Sequence, residues 1–197
     1  ANRIVLWLDN SFRNQPLPRS LVLQQQRGLE IEYCNDIGSY KKLIPQMHQT
    51  PNEAIITADD DIIYDYDVLE HLITAYQKDK TKINCCRVHK MSFDNDGHIL
   101  PYSQWESRCT HLGTDKYNFL TGAGAVLYPP HSLDEEVFNE KVFSEICPKA
   151  DDVWFTAMAL KKGTPINKVF TRDVHGEDYI EIPNALERSE EHTSELQ

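Results

Sequence analysis

The sequence predicts an α/β fold with a mostly parallel central sheet flanked by helices, and three observations carry that prediction. Short apolar runs alternate with segments whose apolar residues recur at helical spacing. One such run, Ala54–Ala58, leads straight into three consecutive carboxylates, Asp59, Asp60 and Asp61. That is where the carboxyl edge of an open α/β sheet would place a ligand site. A second acidic pair, Asp151 and Asp152, opens an apolar helix about ninety residues later.

The elements follow in order. Arg3–Leu8 is a strand-like run ending at Asp9, followed by a polar, proline-bearing loop to Pro18. Ser20–Arg27 predicts a short helix stopped by Gly28. Leu29–Tyr33 alternates apolar and acidic residues as a half-buried strand does. Ser39–His48 predicts a helix presenting Tyr40, Leu43, Ile44 and Met47, weakened in its middle by Pro45. Ala54–Ala58 is the buried central strand. Asp65 or Asp67 caps a helix reaching about Gln77, with Val68, Leu69, Leu72, Ile73 and Tyr76 at helical spacing. Ile83–Val88 predicts a strand. A turn signal at Asp94–Gly97 then opens an irregular, aromatic stretch to Phe119, expected to face substrate. Thr121–Tyr128 is a small-residue turn feeding an apolar strand stopped by Pro129 and Pro130. Helices over Val137–Ile146 and from Asp151 to Leu160, with Gly163 as a stop, lead to a last strand at Asn167–Phe170.

Composition narrows the function classes. The 197 residues are 40% hydrophobic and 26% charged, in the range of one ordinary globular domain. A net charge of −11 excludes an electrostatic nucleic-acid surface, so anionic ligands would be met by a metal or by individual lysines. No apolar run approaches the roughly 20 residues that span a bilayer. Five cysteines without a CxxC pair, with Cys85 and Cys86 adjacent on a strand, fit a reducing cytoplasm rather than a disulfide framework. Arg188–Gln197 resembles an in-frame translation of a sequencing-adapter oligonucleotide, which leaves 1–187 as one domain and implies a missing natural C-terminus.

Chemistry centres on the acids. Three adjacent carboxylates repel one another and suit a divalent cation shared with a diphosphate; equally, they suit a solvated turn that caps the next helix. Asp151 and Asp152 could supply a general base, or simply complement a helix N-terminus. Gly122 and Gly124 permit close approach of substrate, or close packing. An EF-hand loop starting at Asp59 fails, because Ile63 falls at a ligand position and Tyr64 where glycine is required. A phosphatase or phosphotransferase built on Asp59 and Asp61 can be written, although Ile63 stands where Thr or Val is usual. The histidines show no metal spacing, and His175 alone is retained as a candidate.

The combined blocks Ile4–Leu8, Gly28–Ile31, Ser39–Pro45, Ile56–Tyr64 and Ala150–Trp154 resemble bacterial GT-A-type glycosyltransferases of the surface-polysaccharide class, over most of residues 3–170. The resemblance implies a GT-A, Rossmann-like nucleotide-diphospho-sugar transferase fold whose first strand and helix would precede this chain. It implies that Asp59 and Asp61 bind Mn²⁺ or Mg²⁺, with Asp59 or Asp60 nearer the ribose or the metal's waters. Asp152 matches the acceptor-activating base of inverting members, with Asp151 the alternate. Gly122, Ala123 and Gly124 match the turn near the sugar, Lys42 would reach a phosphate or else stand as a solvated helix lysine, and His175 would be a third metal ligand. The partners implied are a nucleotide-sugar donor and a glycan or glycolipid acceptor, with a cytoplasmic location peripheral to the inner membrane face. A carbohydrate- or nucleotide-binding module with a degenerate site is the non-enzymatic alternative.

Overall fold

The computed structural model describes residues 2–169 and 179–181. Among them are five α-helices and a mixed five-stranded sheet, an α/β arrangement with helices on both sheet faces. Strands β1 (Ile4–Asp9) and β2 (Leu29–Cys34) pair in parallel across helix α1 (Arg19–Gln25). Helix α2 (Ile44–Gln49) leads to β3 (Ile55–Thr57) and then β4 (Ile62–Tyr64). Helix α3 (Val68–Lys78) precedes β5 (Ile83–Cys85) and β6 (Val88–Lys90). Strands β7 (Gly113–Thr114), β8 (Asn118–Leu120) and β9 (Val126–Tyr128) follow. Helices α4 (Glu140–Ile146) and α5 (Asp151–Lys162), then β10 (Ile166–Lys168) and β11 (Tyr179–Glu181), complete the described chain.

The main sheet has the order β3-β9-β5-β10-β7, and this corrects two expectations. It is mostly antiparallel rather than mostly parallel: β9 runs against β3 and β5, β7 runs against β10, and only β5 and β10 are parallel. The strand expected at its centre, β3, is an edge strand of this sheet. The physical reason lies in the stretch between β5 and β9. A strand entered from a right-handed βαβ crossover is constrained to run parallel, whereas this stretch returns through β6 and β8, an antiparallel pair, and delivers β9 from the opposite end. Direction is nonetheless shared by β3, β5 and β10, so their carboxyl ends lie along one sheet margin together with the start of β9.

Side-chain alternation along β9 divides the core. Val126 and Tyr128 join the larger cluster, with Trp154, Phe155 and Met158 of α5 and Phe143 of α4. Leu127 points the other way, into a smaller cluster with Val68 and Leu72 of α3. Burial of both faces by helices is what makes this strand apolar throughout.

Local departures from the sequence reading have local causes. The helix expected over Ser39–His48 breaks into a 3₁₀ turn, Gly38–Lys42, and α2, and Pro45 sits in the first turn of α2, where its missing N–H costs nothing. Tyr40, fully buried, fixes that turn: its hydroxyl donates to the Cys147 carbonyl at 2.6 Å and its ring stacks on Phe143 with centroids 4.0 Å apart. The strand expected over Ile83–Val88 is split into β5 and β6 at Cys86 and Arg87. A 3₁₀ turn, Glu135–Phe138, precedes α4, whose N-cap Asn139 accepts from the Val142 N–H at 3.4 Å. Gly163, at φ 78°, closes α5 in the left-handed conformation that favours glycine. Cys34 is half-buried, and Cys85, Cys86, Cys109 and Cys147 are buried; all five are free thiols. Among the described residues no helix is long and apolar enough to cross a membrane. Phe170 and residues 188–197 lie outside the described residues.

Candidate functional site

Two acidic clusters distant in sequence meet at the sheet margin where β3 ends and β9 begins. The ladder that brings them there is short: Thr57 pairs with Val126, Ile56 with Leu127 and Ile55 with Tyr128. Asp59 therefore emerges beside the 3₁₀ turn Gly122–Gly124 that feeds β9. Helix α5 leads into β10, and its first residues, Asp151 and Asp152, lie at the same margin, where Asp152 meets the Gly122 N–H.

Lys42 joins the clusters. Its Nζ lies 2.9 Å from Asp59 Oδ1, donating a hydrogen bond, and 3.1 Å from Asp151 Oδ2. Its side chain is 20% exposed, so it is not the solvated helix lysine its sequence position would suggest; it reaches inward from the 3₁₀ turn held by Tyr40. Burial works against the Lys42 ammonium, but Asp151, Asp59 and Asp152 outweigh it and hold the group well above the ordinary lysine range. Asp151 is almost fully buried, and its Oδ2 makes no hydrogen bond beyond the Lys42 ion pair.

Asp152 is half-buried and differently held. The Gly122 N–H donates to both of its carboxylate oxygens, at 3.0 and 2.9 Å. Burial first, and the adjacent Asp151 second, push the Asp152 carboxyl up to about 7, against the opposing pull of Lys42 and the Gly122 N–H. The N-cap of α5 is Ala150, which supplies no side-chain cap. The contacts of both acids thus run across the fold, to Lys42 and Gly122, and a merely capping role does not account for them.

The two glycines of the turn do different things. A Cβ on Gly122 would come within 2.6 Å of Lys42 Nζ and 3.0 Å of Asp152 Oδ1, so this glycine makes room for the charged groups. A Cβ on Gly124 would stand 2.3 Å from Arg87 Cβ and 2.6 Å from Arg87 N. Gly124 is buried against the backbone between β5 and β6, which makes it a packing position. Ala123, between them, is half-buried. Ala125 follows with φ 62°, ψ 138°, an uncommon conformation for a residue with a side chain.

At the other side of the margin, Asp60 is exposed and Asp61 half-buried on the turn between β3 and β4. Burial, then Asp59, raise the Asp61 carboxyl above the usual carboxylate range. Tyr64, which sequence reasoning passed over, accepts a hydrogen bond from the Asp59 N–H at 2.9 Å, and its ring packs against the α3 cluster. Its only sequence signal is an aromatic five residues after the first acid. Burial raises the Tyr64 phenol as well, so the hydroxyl stays protonated.

By donor type alone, the three acids after β3 suit a hard divalent cation. Asp59, Asp60 and Asp61 offer oxygen donors alone, and Lys42 brings an ammonium into ion-pair contact with Asp59 and Asp151. Among the described residues, one trio of potential ligands brings its donor atoms within 4.8 Å of one another: Asp94, Asp96 and His98, all exposed on a turn. Asp59 and Asp61 are not in such a group, and His175 lies outside the described residues. Comparison of the chain with models of known protein families and with curated proteins finds no match.

Proposed function

We propose that this chain is a metal-dependent glycosyltransferase of the GT-A type, moving a sugar from a nucleotide donor to a hydroxyl group of a glycan or glycolipid acceptor. The observation that supports it is the convergence of Asp59, Lys42, Gly122 and Asp152 at one sheet margin, because group transfer from a diphosphate needs an anion-handling side and a proton-accepting side in contact. Asp59 and Asp61 would hold Mn²⁺ or Mg²⁺ through carboxylate oxygens, leaving the remaining positions to water and the diphosphate. When bound, the ion supplies Lewis-acid stabilisation of the charge that develops on the leaving diphosphate. Lys42, which pairs with Asp59, would offer its ammonium to the same anion. Asp152 takes the proton of the attacking acceptor hydroxyl, which makes inversion by direct displacement the expected course. The Gly122 N–H fixes the carboxylate from one side and leaves each oxygen further acceptor capacity. Ala123 and the Gly122 backbone would lie along the transferred sugar.

A second reading, phosphoryl transfer on Asp59, draws support from Lys42 at 2.9 Å, since an ammonium stabilises a carboxylate nucleophile and an incoming phosphate alike. One experiment separates the two. Calorimetric titration of UDP, GDP and CDP with Mn²⁺ is expected to give binding of one nucleotide that is lost without metal and in Asp61→Ala. Turnover of the matching nucleotide sugar, with no hydrolysis of a phosphomonoester, would follow. Phosphomonoester hydrolysis with a trapped aspartyl-phosphate would replace the first reading by the second. No metal-dependent nucleotide binding by the folded protein would remove the first altogether.

A further inference from the structure

Lys42 occupies the junction of both acid clusters, and that position raises a conflict. Asp59 Oδ1 accepts the Lys42 hydrogen bond at 2.9 Å, so a divalent cation held by the same carboxylate would sit against a like charge. The ammonium is also hemmed in below, since the space a Cβ on Gly122 would fill begins 2.6 Å from Nζ. On the other side it meets Asp151, whose Oδ2 has no hydrogen bond of its own. We propose that Lys42 is an exchangeable counter-cation: it neutralises Asp59 and Asp151 before ligand arrives, yields Asp59 to the divalent ion, and turns its ammonium to the diphosphate that the ion brings.

The geometry supports exchange rather than a fixed structural tie. Lys42 rises from a 3₁₀ turn whose backbone is pinned separately, by Tyr40 on Cys147, so its four-carbon stem can swing without disturbing the core. The ammonium is a compact point charge with three rotatable donors, suited to trade one oxygen partner for another. Asp151 keeps its place at the start of α5 throughout and marks the resting position to which Lys42 returns.

The inference rests on the glycosyltransferase reading for the identity of the diphosphate, but its signature is a pair of opposite shifts that activity does not report. Removing the ammonium strips a repelling positive charge from the metal site and an attracting one from the anion site. Lys42→Met is therefore expected to bind Mn²⁺ alone about tenfold more tightly, as loss of one unit charge several ångströms from a divalent ion implies under water-like screening, with the ammonium free to swing away. The same variant is expected to bind the Mn²⁺–nucleoside diphosphate about tenfold more weakly relative to Mn²⁺ alone. Lys42→Arg should stay near wild type for the metal. Free Mn²⁺ is read by electron paramagnetic resonance, and UDP, GDP and CDP binding by calorimetry. Gly122→Ala, which displaces the ammonium without deleting it, provides a second route should Lys42→Met not fold, and is expected to tighten Mn²⁺ binding as well. Weakening of both ligands, or no change in the metal affinity, overturns the exchange. Wild-type binding of a Mn²⁺–nucleotide with unaltered Mn²⁺ affinity in both variants overturns it while leaving the glycosyltransferase reading intact. Tightened Mn²⁺ binding in a protein that takes no nucleotide keeps the release of Asp59 but overturns the hand-over to a diphosphate, and with it the glycosyltransferase reading.

Discussion

Alanine placed at Gly124 and at Gly122, two positions apart, should have opposite kinds of consequence. At Gly124 the new methyl would meet Arg87 Cβ at 2.3 Å, Arg87 N at 2.6 Å and Arg87 Cα at 3.0 Å. These atoms belong to the chain between β5 and β6 and cannot rotate away, so the sheet margin must shift. Overpacking of this kind costs about 3 kcal/mol, the upper part of its usual range. The reduced freedom of the unfolded chain returns about 0.7 kcal/mol, leaving a net loss of about 2 kcal/mol. For a chain of this size that lowers Tm by about 4–8 °C. At Gly122 the methyl would meet the end of Lys42, Nζ at 2.6 Å and Cε at 3.4 Å, and the tip of Asp152 at 3.0 Å. Those atoms can move, and the expected Tm change stays below about 2 °C, while the ion pairs of Lys42 are disturbed. Thermal denaturation followed by circular dichroism measures both. Equal losses at the two positions, or a Gly124→Ala protein as stable as wild type, would refute the assignment of one glycine to packing and the other to the charged cleft.

Other perturbations test the chemistry. Asp152→Asn is expected to lower sugar transfer by about 10²–10⁴-fold with nucleotide affinity almost unchanged, which single-turnover transfer and calorimetry on one sample would check. In wild type, kcat/KM should rise with pH through about 7 as the Asp152 carboxyl loses its proton, and Asp152→Asn should abolish that limb. Stability has the opposite slope. A carboxyl that holds its proton more tightly folded than unfolded favours the fold at acid pH, and that contribution fades as pH rises from about 4 to about 7. Asp152→Asn should flatten this part of the denaturation profile. Tyr40→Phe leaves the buried Cys147 carbonyl without its 2.6 Å donor and should cost about 1–2 kcal/mol, seen as a Tm lower by about 2–8 °C.

Several parts of this architecture were legible in the residues because they rest on local rules. The strand entering Asp59, the αL stop at Gly163 and the acidic opening of α5 each follow from patterning within a few positions. Strand direction did not, because the orientation of β9 depends on how the stretch between β5 and β9 folds back, and nothing in Val126–Tyr128 itself encodes it. The same limit hid the breaks near Leu43 and Arg87, where a buried tyrosine and a tightly packed glycine override helical and strand periodicity. Within the candidate site, the acids announced themselves by adjacency. Lys42 could be read as a solvated helix lysine or as a phosphate ligand, and its ion pairs become visible only when Asp59 and Asp151 lie on either side of it. Tyr64 carries no motif at all, since a phenol accepting a backbone N–H is a relation between two places and not a property of one.

The three-rung ladder between β3 and β9 carries a consequence for the order in which this protein is made. Residues 55–57 and 126–128 can pair only after the whole intervening chain, with α3, β5, β6 and β8, has closed upon itself. Contacts so remote in sequence form late, once the entropy of that closure has been met by more local structure. A slip of one residue in this ladder would turn every side chain of β9 to the opposite face and carry Asp59 about 3.3 Å along the strand axis, away from Gly122. Helix α5 could then be fully formed, and the Asp151–Asp152 pair in place, with no counterpart to meet. Competence would thus arrive as a final, all-or-none event in folding, and the earliest effect of weakening that edge would be lost register at the cleft in a chain that still holds its helices.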